Sequence, residues 1–183
     1  MRLFIALDPP EDWRDALTEA AGYLAACAPG CVPARREHFH WTLAFLGERE
    51  GVEEAIGAMD RAAGPAFTLS AAGAGRFLRG GEALWWMGLE EAPELRALQR
   101  RLAAALREAG IPLEERPFHP HLTLARRVRQ TSGFRQERLE ALLPRGACRA
   151  DHMTLYHSHR PEGKLRYDPL CRVALAPRER GAR

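Results

Sequence analysis

His40-Trp41-Thr42-Leu43 and His121-Leu122-Thr123-Leu124 carry one pattern, His-x-Thr-Leu, at two places 81 residues apart (121 − 40). Each copy lies in an apolar run, HWTLAFL over 40–46 and HLTLA over 121–125, of residues that favour extended chain. Both read as strands, and on a strand side chains two apart share a face. His40 therefore aligns with Thr42 and His121 with Thr123, while Trp41, Leu43, Phe45, Leu122 and Leu124 point the other way, into a core. Set beside each other, two such strands make a concave face bearing two imidazoles and two hydroxyls. The repeat is the organising feature of the chain, a faint internal duplication in which each half holds a helix and one such strand.

Outward from the first copy, residues 3–7 suit a buried strand. A helix follows from Pro10 or Glu11, with Trp13, Leu17, Ala21 and Leu24 on its apolar positions and Ala28-Pro29-Gly30 as its stop. A second helix is predicted over 52–63. Residues 67–78 and 83–89 read as a hairpin turning on Arg79-Gly80-Gly81, with Trp85 and Trp86 split between core and cleft. The clearest amphipathic helix runs over 93–109, where Leu95, Leu98, Leu102 and Leu106 recur at three and four and Gly110 caps the end. Beyond the second copy the pattern gives a short helix over 134–143 and strands over 147–158 and 165–175. Strands and helices interleave without regular βαβ spacing, which makes the fold class α+β.

The 183 residues are 46% apolar and 28% charged, a globular profile. They contain no apolar run of the roughly 20 residues a membrane span needs. The start of the chain is too short an apolar stretch for a signal peptide, so the expected location is the cytoplasm. The net charge of +3 suits an anionic ligand without requiring one, and all but one of the 27 basic residues are arginine, Lys164 being the exception. Cys27, Cys31, Cys148 and Cys171 form no C-x-x-C pair, so neither a zinc site nor a disulfide framework is expected.

Two histidines with two hydroxyls fit one kind of chemistry closely. Imidazole titrates near neutral pH, so one ring can accept a proton while the other donates one. Opening a cyclic phosphodiester needs both: a base to activate water and an acid to protonate the departing ribose oxygen. Threonine hydroxyls can hold the nonbridging oxygens as charge develops. A lone His-x-Thr is an ordinary strand segment; two copies in matching context are hard to explain by packing alone.

The segments Arg2-Leu3-Phe4-Ile5-Ala6, 38–48 (HFHWTLAFLGE) and 116–126 (RPFHPHLTLAR) resemble the bacterial and archaeal RNA 2′,3′-cyclic phosphodiesterases of the two-histidine phosphoesterase superfamily. Weaker similarity lies in Met153-Thr154-Leu155-Tyr156 and in 166–170 (RYDPL). The resemblance implies a bilobal fold over 1–176, two pseudo-symmetric lobes of antiparallel sheet with outer helices and the site in the central cleft. It leaves 177–183 as a basic, disordered tail. It implies cofactor-free and metal-free opening of RNA 2′,3′-cyclic phosphate ends to 2′-phosphates, with 2′-5′ RNA ligation as the reverse. By the same carry-over His40 is the proton donor, His121 the acceptor, and Thr42 and Thr123 hold the phosphate. Arg126 stands where the family carries an arginine, although strand parity puts it on the face opposite His121 unless a bulge intervenes. Phe4 is a candidate for stacking on the nucleobase, with core packing as its alternative.

The implied partners are RNA ends, those of tRNA fragments among them, or small nucleotides, met by a monomer. Two other readings stand beside this one. His38/His40 and His119/His121 form His-x-His pairs that could ligate a metal, though no carboxylate lies in either segment. A non-catalytic RNA-binding module of the same fold is the other, but such a module would be expected to lose one of the two histidines. His152, His157 and His159 lie outside the repeats and are expected at the surface or behind the site.

Overall fold

The computed structural model describes residues 1–129 and 133–175; the basic tail expected over 177–183 lies outside the described residues. In chain order the elements are β1 (Arg2–Leu7), α1 (Glu11–Cys27), β2 (Val32–Pro33), a 3-10 turn (Arg36–His38), β3 (Trp41–Glu48) and α2 (Glu53–Ala62). There follow β4 (Phe67–Arg79), β5 (Glu82–Leu89), α3 (Pro93–Glu108), β6 (His121–Val128) and α4 (Gln136–Leu142). The last three strands are β7 (Ala147–Ala150), β8 (His152–His159) and β9 (Arg166–Ala174). The fold is α+β, as the interleaving predicted.

Local chemistry accounts for the element ends. α3 starts on Pro93, whose fixed φ suits the first helical turn. It ends where Gly110 (φ 76°) turns left-handed, so that the Ile111 amide reaches the Leu106 carbonyl at 2.9 Å and the Gly110 amide reaches Arg107 at 3.0 Å. Leu95, Leu98, Leu102 and Leu106 are all fully buried, each contributing about 2 kcal/mol of hydrophobic stabilisation. The β4–β5 hairpin turns on Gly80 and Gly81, both at positive φ (59° and 78°), the backbone a two-residue turn requires.

The strands form two antiparallel sheets, in the orders β3-β1-β8-β9 and β2-β6-β5-β4-β7. Leaving aside β2, the orders correspond strand for strand. The two His-x-Thr strands, β3 and β6, occupy equivalent places, and β1 and β5 beside them do likewise. This is the two-lobed duplication that the repeat implied. The helices are exchanged between the lobes: α1 follows β1 but packs on β2, β6 and α4 of the second sheet, while α3 follows β5 but packs on β3 and α2 over the first. One continuous apolar cluster runs through both.

Two expectations need correction. The segment 147–158 is not one strand: β7 pairs with β4 in one sheet and β8 with β1 in the other, broken at Asp151. Phe45, expected in the core with Trp41 and Leu43, is 61% exposed. The cause is a bulge. Ala6 pairs with Thr42 and Ile5 with Ala44, so Leu43 is an extra residue that reverses the alternation after it. Among the described residues no helix is long and apolar enough to cross a membrane.

Candidate active site

His40 sits immediately before β3 and His121 opens β6, each at the mouth of its lobe. Their settings match. His40 Nδ1 lies 2.7 Å from the carbonyl of His38, and His121 Nδ1 lies 2.8 Å from the carbonyl of His119. A carbonyl only accepts, so both Nδ1 atoms carry the proton and donate it. That leaves each Nε2 as the free position, with no protein partner among the described residues. Both rings are thereby fixed in orientation and in tautomer. Thr42 and Thr123, half-buried on the same faces, have hydroxyls without a protein partner among the described residues.

Arg126 reaches this face through the counterpart of the bulge at Leu43. Trp86 pairs with Thr123 and Trp85 with Ala125, so Leu124 is the extra residue, and both Leu124 and Ala125 are fully buried. Arg126, five residues after His121, thus returns to the side of His121, just as Phe45, five residues after His40, returns to the side of His40. The parity objection to Arg126 disappears for that reason. Its charge acts on His40, His121 and Tyr167 alike, so it is felt in both lobes. It has no carboxylate partner among the described residues and so is available to an anion.

Phe4 is 3% exposed, its ring 4.8 Å from that of His40, 5.2 Å from Tyr156 and 4.9 Å from Tyr167. It lies beneath His40 as packing. The open aromatic of this lobe is Phe45, paired with Phe4 across the strands and 6.3 Å from it. Trp85 is buried and Trp86 faces the cleft, as the split between them predicted.

Sequence reasoning missed a polar network behind His40. Asp8, whose side chain is 9% exposed, accepts hydrogen bonds from the hydroxyls of Thr154 and Tyr156, both at 2.6 Å, and has His152 Nε2 at 3.3 Å and Arg14 at 3.5 Å. Burial alone would raise the Asp8 carboxyl, but the bonds from His152, Thr154 and Tyr156 and the charge of Arg14 outweigh it and hold it at about 2. Burial pushes His40 down to about 4; the bond to His38 and the charge of Asp8 pull upward, while Arg126 and His38 add to the lowering. Burial also lowers His121, opposed by its bond to His119 and reinforced by the charges of His119 and Arg126. No carboxylate acts on His121 as Asp8 acts on His40, so the near-symmetric pair is electrostatically unequal.

The rival His-x-His arrangement is not drawn together as a ligand set. The His38 ring packs on Tyr167 at 4.6 Å and the His119 ring on Trp86 at 5.1 Å. Among the described residues no group of three or more His, Cys, Asp or Glu side chains is placed to hold a metal ion.

Comparison with known proteins bears on the family and the fold. Residues 8–162 match the family described as the 2′-5′ RNA ligase superfamily. The RNA 2′,3′-cyclic phosphodiesterase of Escherichia coli (strain K12) is 32% identical over 182 residues, which are 95% of this chain and 96% of that protein. The protein of the same name from Geobacillus stearothermophilus is 32% identical over 76% of this chain but 46% of its own length, so the chain spans about half of that relative. The crystal structure of E. coli LigT complexed with 3′-AMP superposes with a TM-score of 0.76 at 31% identity, covering 95% of this chain and 97% of that one.

Proposed function

Because the chain belongs to the 2′-5′ RNA ligase superfamily, we propose that it opens RNA 2′,3′-cyclic phosphate ends to 2′-phosphomonoesters, with His40 and His121 as acid and base. The observation that carries this reading is the matched pair of imidazoles, each with Nδ1 tied to a carbonyl two residues back and Nε2 free. The phosphate lies between the two Nε2 atoms. Nε2 of His121 takes a proton from water as its oxygen attacks phosphorus. The bond from phosphorus to the 3′-oxygen breaks, and His40 protonates that oxygen, leaving the phosphate on the 2′-oxygen. The charge of Asp8 offsets part of the lowering that burial imposes on His40, and the donor role falls to His40 by its match to the family's first His-x-Thr. Thr42, Thr123 and Arg126 hold the nonbridging oxygens as charge builds on them. The nucleobase stacks on exposed Phe45, while Phe4 braces His40 from below. No metal or cofactor enters the scheme.

RNA ends fit this site, those of tRNA fragments included, as do small cyclic nucleotides. The site is complete within one chain, so a monomer suffices. With a 5′-hydroxyl in place of water, the same steps join it to the cyclic phosphate through a 2′-5′ linkage.

The test is to incubate the protein with an RNA ending in a 2′,3′-cyclic phosphate, in EDTA, and identify the product by phosphorus NMR. A 2′-phosphate is expected; a 3′-phosphate, or turnover only on addition of a metal ion, sinks the reading. Two further results are expected. Arg126→Ala raises KM and lowers kcat, costing about 10² in kcat/KM, because the guanidinium binds the phosphoryl oxygens more tightly as they gain charge. Arg126→Lys recovers part of the loss at most, having no planar fork. Since both histidines lie below their ordinary 6.5, the bell of kcat/KM for the free enzyme peaks on the acid side of that value. It falls as pH rises because the donor loses its proton. The kcat profile, which reports the complex with an anionic phosphate, has its alkaline limb displaced upward; coincident kcat and kcat/KM profiles centred above pH 7 would count against the scheme.

A further inference from the structure

Each candidate catalytic imidazole has an exposed phenyl ring on its own side of the cleft, and the cyclic nucleotide accounts for one of them. Phe45 is the ring on the His40 side. On the His121 side Phe77 of β4 is 41% exposed, with its edge 5.3 Å from the His121 ring at an interplanar angle of 89°. Phe77 also packs on Trp86 at 5.3 Å and on His119 at 5.5 Å, and Trp86 packs on His119 at 5.1 Å. The indole is held down by an absence. Gly75 lies opposite Trp86 in register, and a Cβ there would fall 2.2 Å from the indole ring, so the ring lies flat over bare backbone. The result is a continuous aromatic shelf beside the ring that takes the proton from the attacking group.

Water needs no such shelf. A nucleoside presenting its 5′-hydroxyl does, because a flat base stacked on an aromatic side chain places the hydroxyl relative to the base catalyst. We propose that Phe77, Trp86 and His119 form the acceptor subsite, binding the base of a nucleoside or RNA 5′ end whose 5′-hydroxyl competes with water. This rests on the acid–base reading above. In the step, the 5′-oxygen attacks phosphorus and loses its proton to Nε2 of His121, the bond from phosphorus to the 3′-oxygen breaks, and His40 returns a proton to that oxygen. The product is a 2′-5′ phosphodiester; charge and protons balance, and no energy donor is needed because the cyclic ester is itself activated.

The experiment uses the full chain, a nucleoside 2′,3′-cyclic phosphate and EDTA, with adenosine as acceptor and methanol at equal concentration as a hydroxyl without a base. Chromatography gives the ratio of transferred to hydrolysed product. Adenosine is expected to capture at least about tenfold more than methanol and to saturate. Phe77→Ala lowers that ratio about tenfold, Phe77→Tyr restores it, and Gly75→Ala lowers it by displacing Trp86. The ratio is internal to each reaction, so loss of packing around His121 alone does not move it. Hydrolysis with no preference for adenosine, or a ratio untouched by Phe77→Ala, overturns the acceptor subsite alone. Absence of any turnover overturns the phosphodiesterase reading and the subsite with it.

Discussion

His40→Ala and His121→Ala are each expected to lower kcat for a 2′,3′-cyclic phosphate end by about 10²- to 10⁴-fold. The loss should fall mainly on kcat, because in the proposed scheme Thr42, Thr123 and Arg126 still bind the phosphate. The double variant should be little slower than the worse single one, since in the proposed scheme the two rings serve one transition state and their effects do not add. The roles separate with a different substrate. Bis(p-nitrophenyl) phosphate releases a phenolate that leaves without a proton, so on it His40→Ala should lose far less than His121→Ala. Equal losses on both substrates would deny His40 the part of donor. Circular dichroism and a thermal melt on each variant distinguish lost chemistry from lost fold, since His40 also packs on Phe4.

Asp8→Ala is expected to cost about 3 kcal/mol of stability, close to 10 °C in Tm for a chain of this size. The substitution strands the hydroxyl of fully buried Thr154 and that of Tyr156 together, and removes one of the two carboxylates beside Arg14. Asp8→Asn, which keeps one acceptor oxygen, should cost less. The acid limb of stability is the more specific readout. Asp8 binds its proton less readily folded, near pH 2, than unfolded, near 3.8, which is worth about 2 kcal/mol. That contribution is whole above about pH 4 and drains away as pH falls through 2, so urea melts from pH 5 downward should lose stability steeply in the parent and less steeply in Asp8→Asn. Indistinguishable acid limbs would mean that Asp8 is not the group holding this network. Asp8→Asn should also shift the kcat/KM optimum to still lower pH, because the charge that favours protonated His40 is gone.

The frame of the site was legible because two periodicities coincide in this chain. Period two set His40 with Thr42 and His121 with Thr123, and the leucines of α3 announced a helix at three and four. Two features were not legible, for different reasons. The bulges at Leu43 and Leu124 each insert one apolar residue into an apolar run, and neither neighbour changes character to mark the slip. Phe45 and Arg126 owe their place in the cleft to those slips. Asp8 directly follows an apolar strand, and nothing beside it in the sequence marks it as a buried hydrogen-bond acceptor. Its partners Thr154 and Tyr156 lie 146 and 148 residues away, a separation over which no local pattern carries information. A visible signal did mark the break between β7 and β8, where Asp151 interrupts two alternating runs.

The exchange of α1 and α3 between the sheets makes the molecule an interlock. Neither half can close its own apolar face without the helix that the other half sends across, so a half-chain made alone should have no stable core, and the whole should melt in a single cooperative step. The same interlock bears on turnover. Prising the lobes apart would disturb the packing of both crossing helices, so the interlock opposes a wide opening between His40 and His121. Under the proposed function, discrimination among RNA ends then falls to the side chains on the rim of that opening.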